Sequence, residues 1–324
     1  MPMTPDTMIE TDALTKRFGE FTALDGLSIS LQRGRILGFI GPNGAGKTTT
    51  IKILVGAIRP TSGWARIAGA DCVRDARRIK RLVGYMPDVF GSYDAMRVRE
   101  YLDFFGAAFG IARRARTRRI AEVLDTTGST HMQDLYVESL SHGMRQRVGI
   151  ARTLMHDPEV LILDEPANGL DPQARIEMRE LLLRLAGLGK TLIVTSHILP
   201  ELARICDTVA IITKGRLRAF GTLDQIMRSL SQRRTFEVQL LDAGQAARAS
   251  ELVREVVSEA ERPTVAVSAA EAIVRFDTGR TDAELAGMLA RLVEGRLGVV
   301  QFREVPKDLE DAFLSVTRAE AEPS

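Results

Sequence analysis

The sequence predicts an α/β fold in which a mostly parallel sheet is covered on both faces, a helical segment interrupts it, and a small α+β domain follows. Three observations carry this prediction. Four apolar runs, RILGFIG (35–41), VLILDEP (160–166), TLIVTSH (191–197) and TVAIIT (208–213), are separated by longer helical patterns. Strands that are apolar along their whole length belong to parallel sheets buried on both faces. The interval from about Asp88 to Thr153 has no such run, and beyond Ser231 the pattern of strands and helices starts afresh.

Each element follows from its residues. Within the interval from Asp88 to Thr153, VREYLDFFGAAFGI (98–111) is an amphipathic helical stripe, so a helical insertion of about 88–153 is expected inside a first domain of 8–230. The remainder, 231–324, reads TFEVQLL (235–241), a helix through 245–260, TVAVSA (264–269), AIVRFD (272–277), a helix through 281–296 and VVQFREV (299–305). That β-α-β-β-α-β order is the one of a ferredoxin-like module. A short helix, DLEDAFLSVTR, is expected after Pro306. This second domain shows no catalytic constellation and reads as accessory or regulatory.

The chain has 324 residues, which at one domain per ~150 residues suggests about two. With 45% apolar residues it can bury a sizeable core, and a formal net charge of +2 gives no reason to expect a nucleic-acid partner. Cys72 and Cys206 are far apart and lack metal-ligand spacing, so neither a disulfide framework nor a zinc site is indicated, and a reducing compartment is expected. MPMTPDTMIE lacks the basic and apolar regions of a signal peptide, and no run approaches the ~18 apolar residues of a membrane span. A soluble chain is expected. The arginine cluster ARRARTRR (112–119) reads as a solvated helix face, with lipid-headgroup or partner contact as the second choice.

GPNGAGKT (41–48) fits G-x-x-x-x-G-K-[ST] and stands between an apolar strand and the helical TTIKILVGAI. Its glycines let the backbone turn so that successive N–H groups line one concavity that suits phosphate oxygens. The phosphate-binding set is Gly41, Pro42, Asn43, Gly44, Ala45, Gly46, Lys47, Thr48 and Thr49. Lys47 would neutralise the β- and γ-phosphates, and the Thr48 hydroxyl would hold Mg²⁺. VLILDEP presents Asp164 and Glu165 at the carboxyl edge of the sheet, Asp164 as a Mg²⁺ ligand and Glu165 as general base toward water. TLIVTSH delivers Ser196 and His197 to the same edge, with His197 expected at the γ-phosphate.

LSHGMRQR (140–147) opens a helix with Ser141 and Gly143, which is either a plain N-cap or a receptor for an anion. In order along residues 8–225, the Walker A loop GPNGAGKT, the signature segment LSHGMRQR, the Walker B strand LILDEP, the D-loop NGLDP (168–172) and the switch histidine of TSH resemble the ATP-binding subunit of ABC transporters. The resemblance implies a P-loop NTPase cassette with a helical subdomain, and ATP and Mg²⁺ as cofactors. It also implies two cassettes paired head to tail, so that Ser141 and Gly143 of one receive the γ-phosphate held by the other, with Asp171 at the same nucleotide. The second cassette is a copy of this chain or a paralogue.

The family usually reads Leu-Ser-Gly-Gly-Gln, where this chain has His142 and Met144, and commonly carries glutamine where GYMPDVFG (84–91) has Asp88, expected at Mg²⁺ or the lytic water. For the adenine, LTKRFGEFTAL offers Phe18, with Phe21 as second choice. The tail after Ser231 is similar to that of drug-resistance exporter ATPases. The implied function is ATP hydrolysis that energises export of a hydrophobic or amphiphilic compound through a separate membrane permease, at the cytoplasmic face of the membrane. A soluble ABC ATPase acting on nucleic acid or ribosomes is the alternative, and a phosphotransferase is disfavoured by the signature and D-loop.

Overall fold

The computed structural model describes residues 6–88, 91, 95–196, 202–230, 234–257, 265–268 and 270–305. His197 and the expected helix after Pro306 lie outside these residues. By internal contacts the chain divides into two compact units, Met1–Leu223 and Asp224–Ser324. This division lies ahead of the 230/231 boundary expected from the sequence, because helix α7 (Leu223–Leu230) groups with the second unit from Asp224 on.

The first unit is built on a six-stranded sheet ordered β10-β9-β3-β8-β7-β6, formed by Ile36–Ile40 (β3), Val83–Met86 (β6), Val160–Leu163 (β7), Thr191–Ser196 (β8), Thr208–Thr213 (β9) and Arg216–Gly221 (β10). Strands β3, β6, β7, β8 and β9 run parallel, and all residues of β3, β7 and β8 are buried, as expected of strands covered on both faces. Edge strand β10 instead pairs antiparallel with β9.

A second, antiparallel sheet, ordered β2-β1-β4-β5, was not foreseen from the pattern of apolar runs. It comprises Thr7–Phe18 (β1), Phe21–Gln32 (β2), Ser62–Ile67 (β4) and Ala70–Asp71 (β5). Register shifts along β1, among them one between Thr11 and Leu14, break the period-two alternation by which a half-buried strand is recognised. Helices Lys47–Leu54 (α1), Ala76–Leu82 (α2) and Pro172–Gly187 (α6) belong to this unit.

Between β6 and β7 stands a helical segment of Val98–Ala108 (α3), Arg113–Thr126 (α4) and His142–Leu154 (α5), the last two joined by short 3₁₀ turns. Within its arginine cluster Arg113, Arg114 and Arg118 are exposed, as expected of a solvated face, whereas Arg116 and Arg119 are engaged within the chain. Arg116 binds Asp103 at 2.7 Å, and Arg119 donates to the Leu154 carbonyl at 2.7 Å and to Asp157 at 3.0 Å.

In the second unit, strands Arg234–Leu240 (β11), Val265–Ser268 (β12), Ile273–Thr278 (β13) and Val299–Val305 (β14) form an antiparallel sheet ordered β12-β13-β11-β14, with helices Ala246–Val256 (α8) and Asp282–Glu294 (α9) between them. Phe236, Val238, Val274 and Phe276 share a core with Val253, Leu285, Met288 and Leu292. Helix α9 starts with a capping box, Thr281 and Glu284 each binding the other's backbone N–H. The residue between Phe236 and Val238 is Glu237, only 2% exposed, and its carboxylate accepts from Arg275 on β13 and Arg303 on β14, each at 2.7 Å.

The Arg275 bond, outweighing burial and aided by Arg303, holds the Glu237 carboxyl below its ordinary 4.5. Ionised Glu237 therefore stabilises this unit fully above that value, and its contribution is lost as pH falls through the lowered folded value. Glu237→Gln is expected to cost about 1–3 kcal/mol at neutral pH and to flatten the decline of stability below pH 4.5. Calorimetry of the full chain across that range checks both.

Candidate nucleotide site

Strand β3 ends at Ile40, and the chain turns through residues 41–46 into α1. Two glycines make this turn possible. A Cβ on Gly41 would stand 2.4 Å from the Ile212 carbonyl oxygen, and Gly46, at φ 110°, would bring one within 2.8 Å of the Ala23 carbonyl. Only glycine satisfies both demands. The Ala45 N–H closes the turn onto the Pro42 carbonyl at 3.1 Å. Lys47, the first residue of α1, is 8% exposed and donates to the carbonyls of Gly41 and Pro42, so its ammonium is held across the mouth of its own loop. Burial lowers its pKa, and the nearby carboxylates of Glu165 and Asp164 oppose that shift.

Those carboxylates follow β7 directly. The Asp164 N–H donates to the Met86 carbonyl on β6 at 2.8 Å, and its side chain is 7% exposed. Thr195, on β8 and fully buried, donates its hydroxyl proton to Asp164 Oδ1 at 2.6 Å and accepts from the Glu165 N–H at 2.9 Å. One side chain thus orients both acids. Glu165 has φ 52°, a conformation that costs a non-glycine residue of order 1 kcal/mol and marks a position held by its surroundings.

Sequence reasoning named Ser196 and His197 in this strand but passed over Thr195. The signal was there, since a threonine inside an apolar strand is a buried hydroxyl that needs partners. Tyr85 was also missed. Burial first, then the charges of Asp164 and Asp88, push its phenol up to about 12, so it stays a neutral hydrogen-bond donor.

A single cavity is lined by every residue from Pro42 to Thr49 together with Tyr85, Asp88, Asp164, Glu165 and Phe21. Gly41 is not in this lining and packs instead against Ile212. The first-choice aromatic, Phe18, is not in this lining; it is 51% exposed, with the Lys16 ammonium 4.9 Å above its ring. Phe21, the second choice, is in the lining, as is Tyr85. For a divalent cation the cavity offers the Thr48 hydroxyl and the carboxylates of Asp88 and Asp164, all oxygen donors. Among the described residues no group of three or more His, Cys, Asp or Glu is assembled for a metal. So sparse and hard a donor set fits Mg²⁺, which takes most of its ligands from phosphate and water.

Ser141, Gly143 and Asp171 do not join this cavity. They line a second one, which shares no residue with the first. Ser141 caps α5, its hydroxyl accepting from the Met144 N–H at 3.3 Å, which leaves its own proton to donate outward. Asp171 caps α6 in the same way, accepting from the Ala174 N–H at 2.8 Å ahead of Pro172. Both readings of Ser141 are therefore compatible: it caps its helix and still offers a donor. Among the described residues a Cβ on Gly143 would meet only Ala174 at 3.4 Å and Leu170 at 3.6 Å, so none of them forbids an alanine there.

The ABC transporter family profile matches residues 24–168. The chain is 37% identical over 221 residues to the probable multidrug ABC transporter ATP-binding protein YbhF of Escherichia coli, a match covering 68% of this chain but 38% of that protein. It is 42% identical to the bacitracin transport ATP-binding protein BcrA of Bacillus licheniformis (74% of this chain, 77% of that one). It is 30% identical to the linearmycin resistance ATP-binding protein LnrL of Bacillus subtilis, covering 96% of this chain and 98% of that one. Among solved structures, an ATP-binding subunit of an ABC transporter superposes with a TM-score of 0.62 at 30% identity, over 69% of this chain and 93% of that chain.

Base stacking on an aromatic contributes about 1–3 kcal/mol. Phe21→Ala is accordingly expected to raise the Kd for ATP roughly tenfold, with Phe18→Ala within about twofold of the unaltered chain, as read by equilibrium binding of a fluorescent ATP analogue. Thr195→Val, which strands the Asp164 carboxylate and the Glu165 N–H, is expected to cost about 1–3 kcal/mol of stability, measured by calorimetry.

Proposed function

The chain belongs to the ATP-binding proteins of ABC transporters, and on that premise we propose that it hydrolyses ATP as one of two paired cassettes that drive export through a separate membrane permease. The observation that carries this reading is the separation of the two half-sites. The phosphate cradle with its acids occupies one cavity, and the Ser141, Gly143 and Asp171 surface occupies another. One chain cannot close both around a single nucleotide, whereas two chains set head to tail complete two sites.

In such a pair the loop N–H groups and Lys47 bind the β- and γ-phosphates. Thr48 and Asp164, with Asp88, hold Mg²⁺, which when bound neutralises phosphate charge. Phe21 stacks on the adenine. Glu165, fixed through its backbone by Thr195, accepts a proton from the attacking water. The outward-facing Ser141 hydroxyl and the N-terminus of α5 receive the γ-phosphate of the opposite chain, where donors and helix dipole favour an anion. ATP then favours the closed pair because only the closed pair offers both sets of contacts, and hydrolysis removes that preference.

Among the described residues no helix is long and apolar enough to cross a membrane; the relatives' names as ATP-binding proteins of transporters support a permease on another polypeptide and a place at the cytoplasmic face of the membrane. The names of the relatives, a probable multidrug transporter, a bacitracin transporter and a linearmycin resistance protein, support export of a hydrophobic or amphiphilic compound.

Glu165→Gln is expected to abolish turnover yet trap an ATP-dependent pair, read by sizing chromatography with and without ATP. Adding Gly143→Ala, which this chain's own packing tolerates, is expected to dissolve that pair without lowering the melting temperature. A trapped state that stays monomeric, or a Gly143→Ala chain that pairs undiminished, overturns the head-to-tail reading.

A further inference from the structure

At the third position of the signature segment this chain carries His142, and the structure gives that side chain a specific partner. His142 Nε2 lies 2.8 Å from the backbone carbonyl oxygen of Asn168. A carbonyl only accepts, so Nε2 carries the proton and donates it. The ring is confined on two sides. Gln146, one turn along α5 and 2% exposed, places its side-chain amide 3.5 Å from Nε2. Gly169, at φ 70°, brings its backbone so close that a Cβ there would stand 3.5 Å from the same nitrogen.

Asn168 is itself tied onward, its N–H donating to the Glu165 carbonyl at 3.1 Å. Two successive hydrogen bonds, His142 to Asn168 and Asn168 to Glu165, therefore run from the first residue of α5 to the backbone of the general base. At its far end the Glu165 N–H is anchored on Thr195 at 2.9 Å. A glycine at position 142 has no donor with which to begin such a chain.

We propose that His142 is a positioning residue that couples the two nucleotide sites of the pair. The inference rests on the head-to-tail reading above. There, the start of α5 touches the nucleotide bound by the opposite chain, while Glu165 of the same chain serves its own nucleotide. The His142 bond links these two ends within one polypeptide, so a phosphate seated against Ser141 steadies the loop that sets the backbone of Glu165 for the other site.

The test compares His142→Ala and His142→Gln with the unaltered full chain in steady-state ATP hydrolysis. His142→Ala is expected to lower kcat about fivefold, the worth of one net hydrogen bond, with KM for ATP within about twofold. His142→Gln, whose amide N–H reaches toward the same carbonyl, is expected to restore most of the loss. Hydrogen exchange at the Asn168 amide should quicken in His142→Ala. In the Glu165→Gln background, ATP-dependent pairing should survive His142→Ala.

An unchanged kcat in His142→Ala overturns the proposal, as does a glutamine variant no better than alanine. Loss of pairing in His142→Ala would make His142 a direct phosphate ligand and likewise overturn it. If Glu165→Gln alone never pairs with ATP, the head-to-tail reading itself fails; if it pairs and only the His142 variants behave like the unaltered chain, the link alone fails.

Discussion

The Thr195 hydroxyl donates to the Asp164 carboxylate and accepts from the Glu165 N–H, so one buried oxygen on β8 sets two acids that follow β7. Parallel pairing of β7 with β8, in a register that opposes Leu163 to Val194, brings Thr195 level with those acids. The hydroxyl works as a clamp because it is buried, where an unmade hydrogen bond is expensive and a made one is geometrically strict. The apolar strands around it keep water from competing, and in this sense the hydrophobic sheet defines the chemistry at its edge. Across the cavity, Lys47 donates to carbonyls of its own loop, and the charges of Glu165 and Asp164 act on it as well.

In the proposed pair, helix caps supply the other half of the machinery. Ser141 and Asp171 each hold the first turn of a helix, and each stands on the surface that lacks a cradle of its own. A cap already needs a polar side chain at a helix N-terminus. Placing such caps where a second chain can reach them turns a local requirement of folding into a recognition surface. His142 extends that economy, since the residue that begins α5 also reaches the loop that carries the general base.

Much of this was legible in the sequence because its signals are local. GPNGAGKT gave the turn, the cradle and the helix that follows; the apolar runs gave the buried parallel strands; and TDAE at 281–284 matches the capping box that opens α9. Contacts that depend on register between distant strands were not legible. Thr195 meets Asp164 only because β7 and β8 are neighbours in the sheet, and the antiparallel sheet of β1, β2, β4 and β5 was hidden by bulges that scramble its alternation. The choice between Phe18 and Phe21 could not be made from spacing, since the two close one hairpin as opposed partners and only the fold decides which ring lies by the loop. The binding partner of His142 was equally remote, lying 26 residues away along the chain.

Glu165 occupies the left-handed backbone region, where glycine rests without cost and asparagine at little. Backbone conformation alone would favour either of them at that position, and the proposed role as general base gives a reason for glutamate to stand there. On that reading, exchanging Glu165 for either residue trades turnover for a more relaxed backbone at the edge of the sheet.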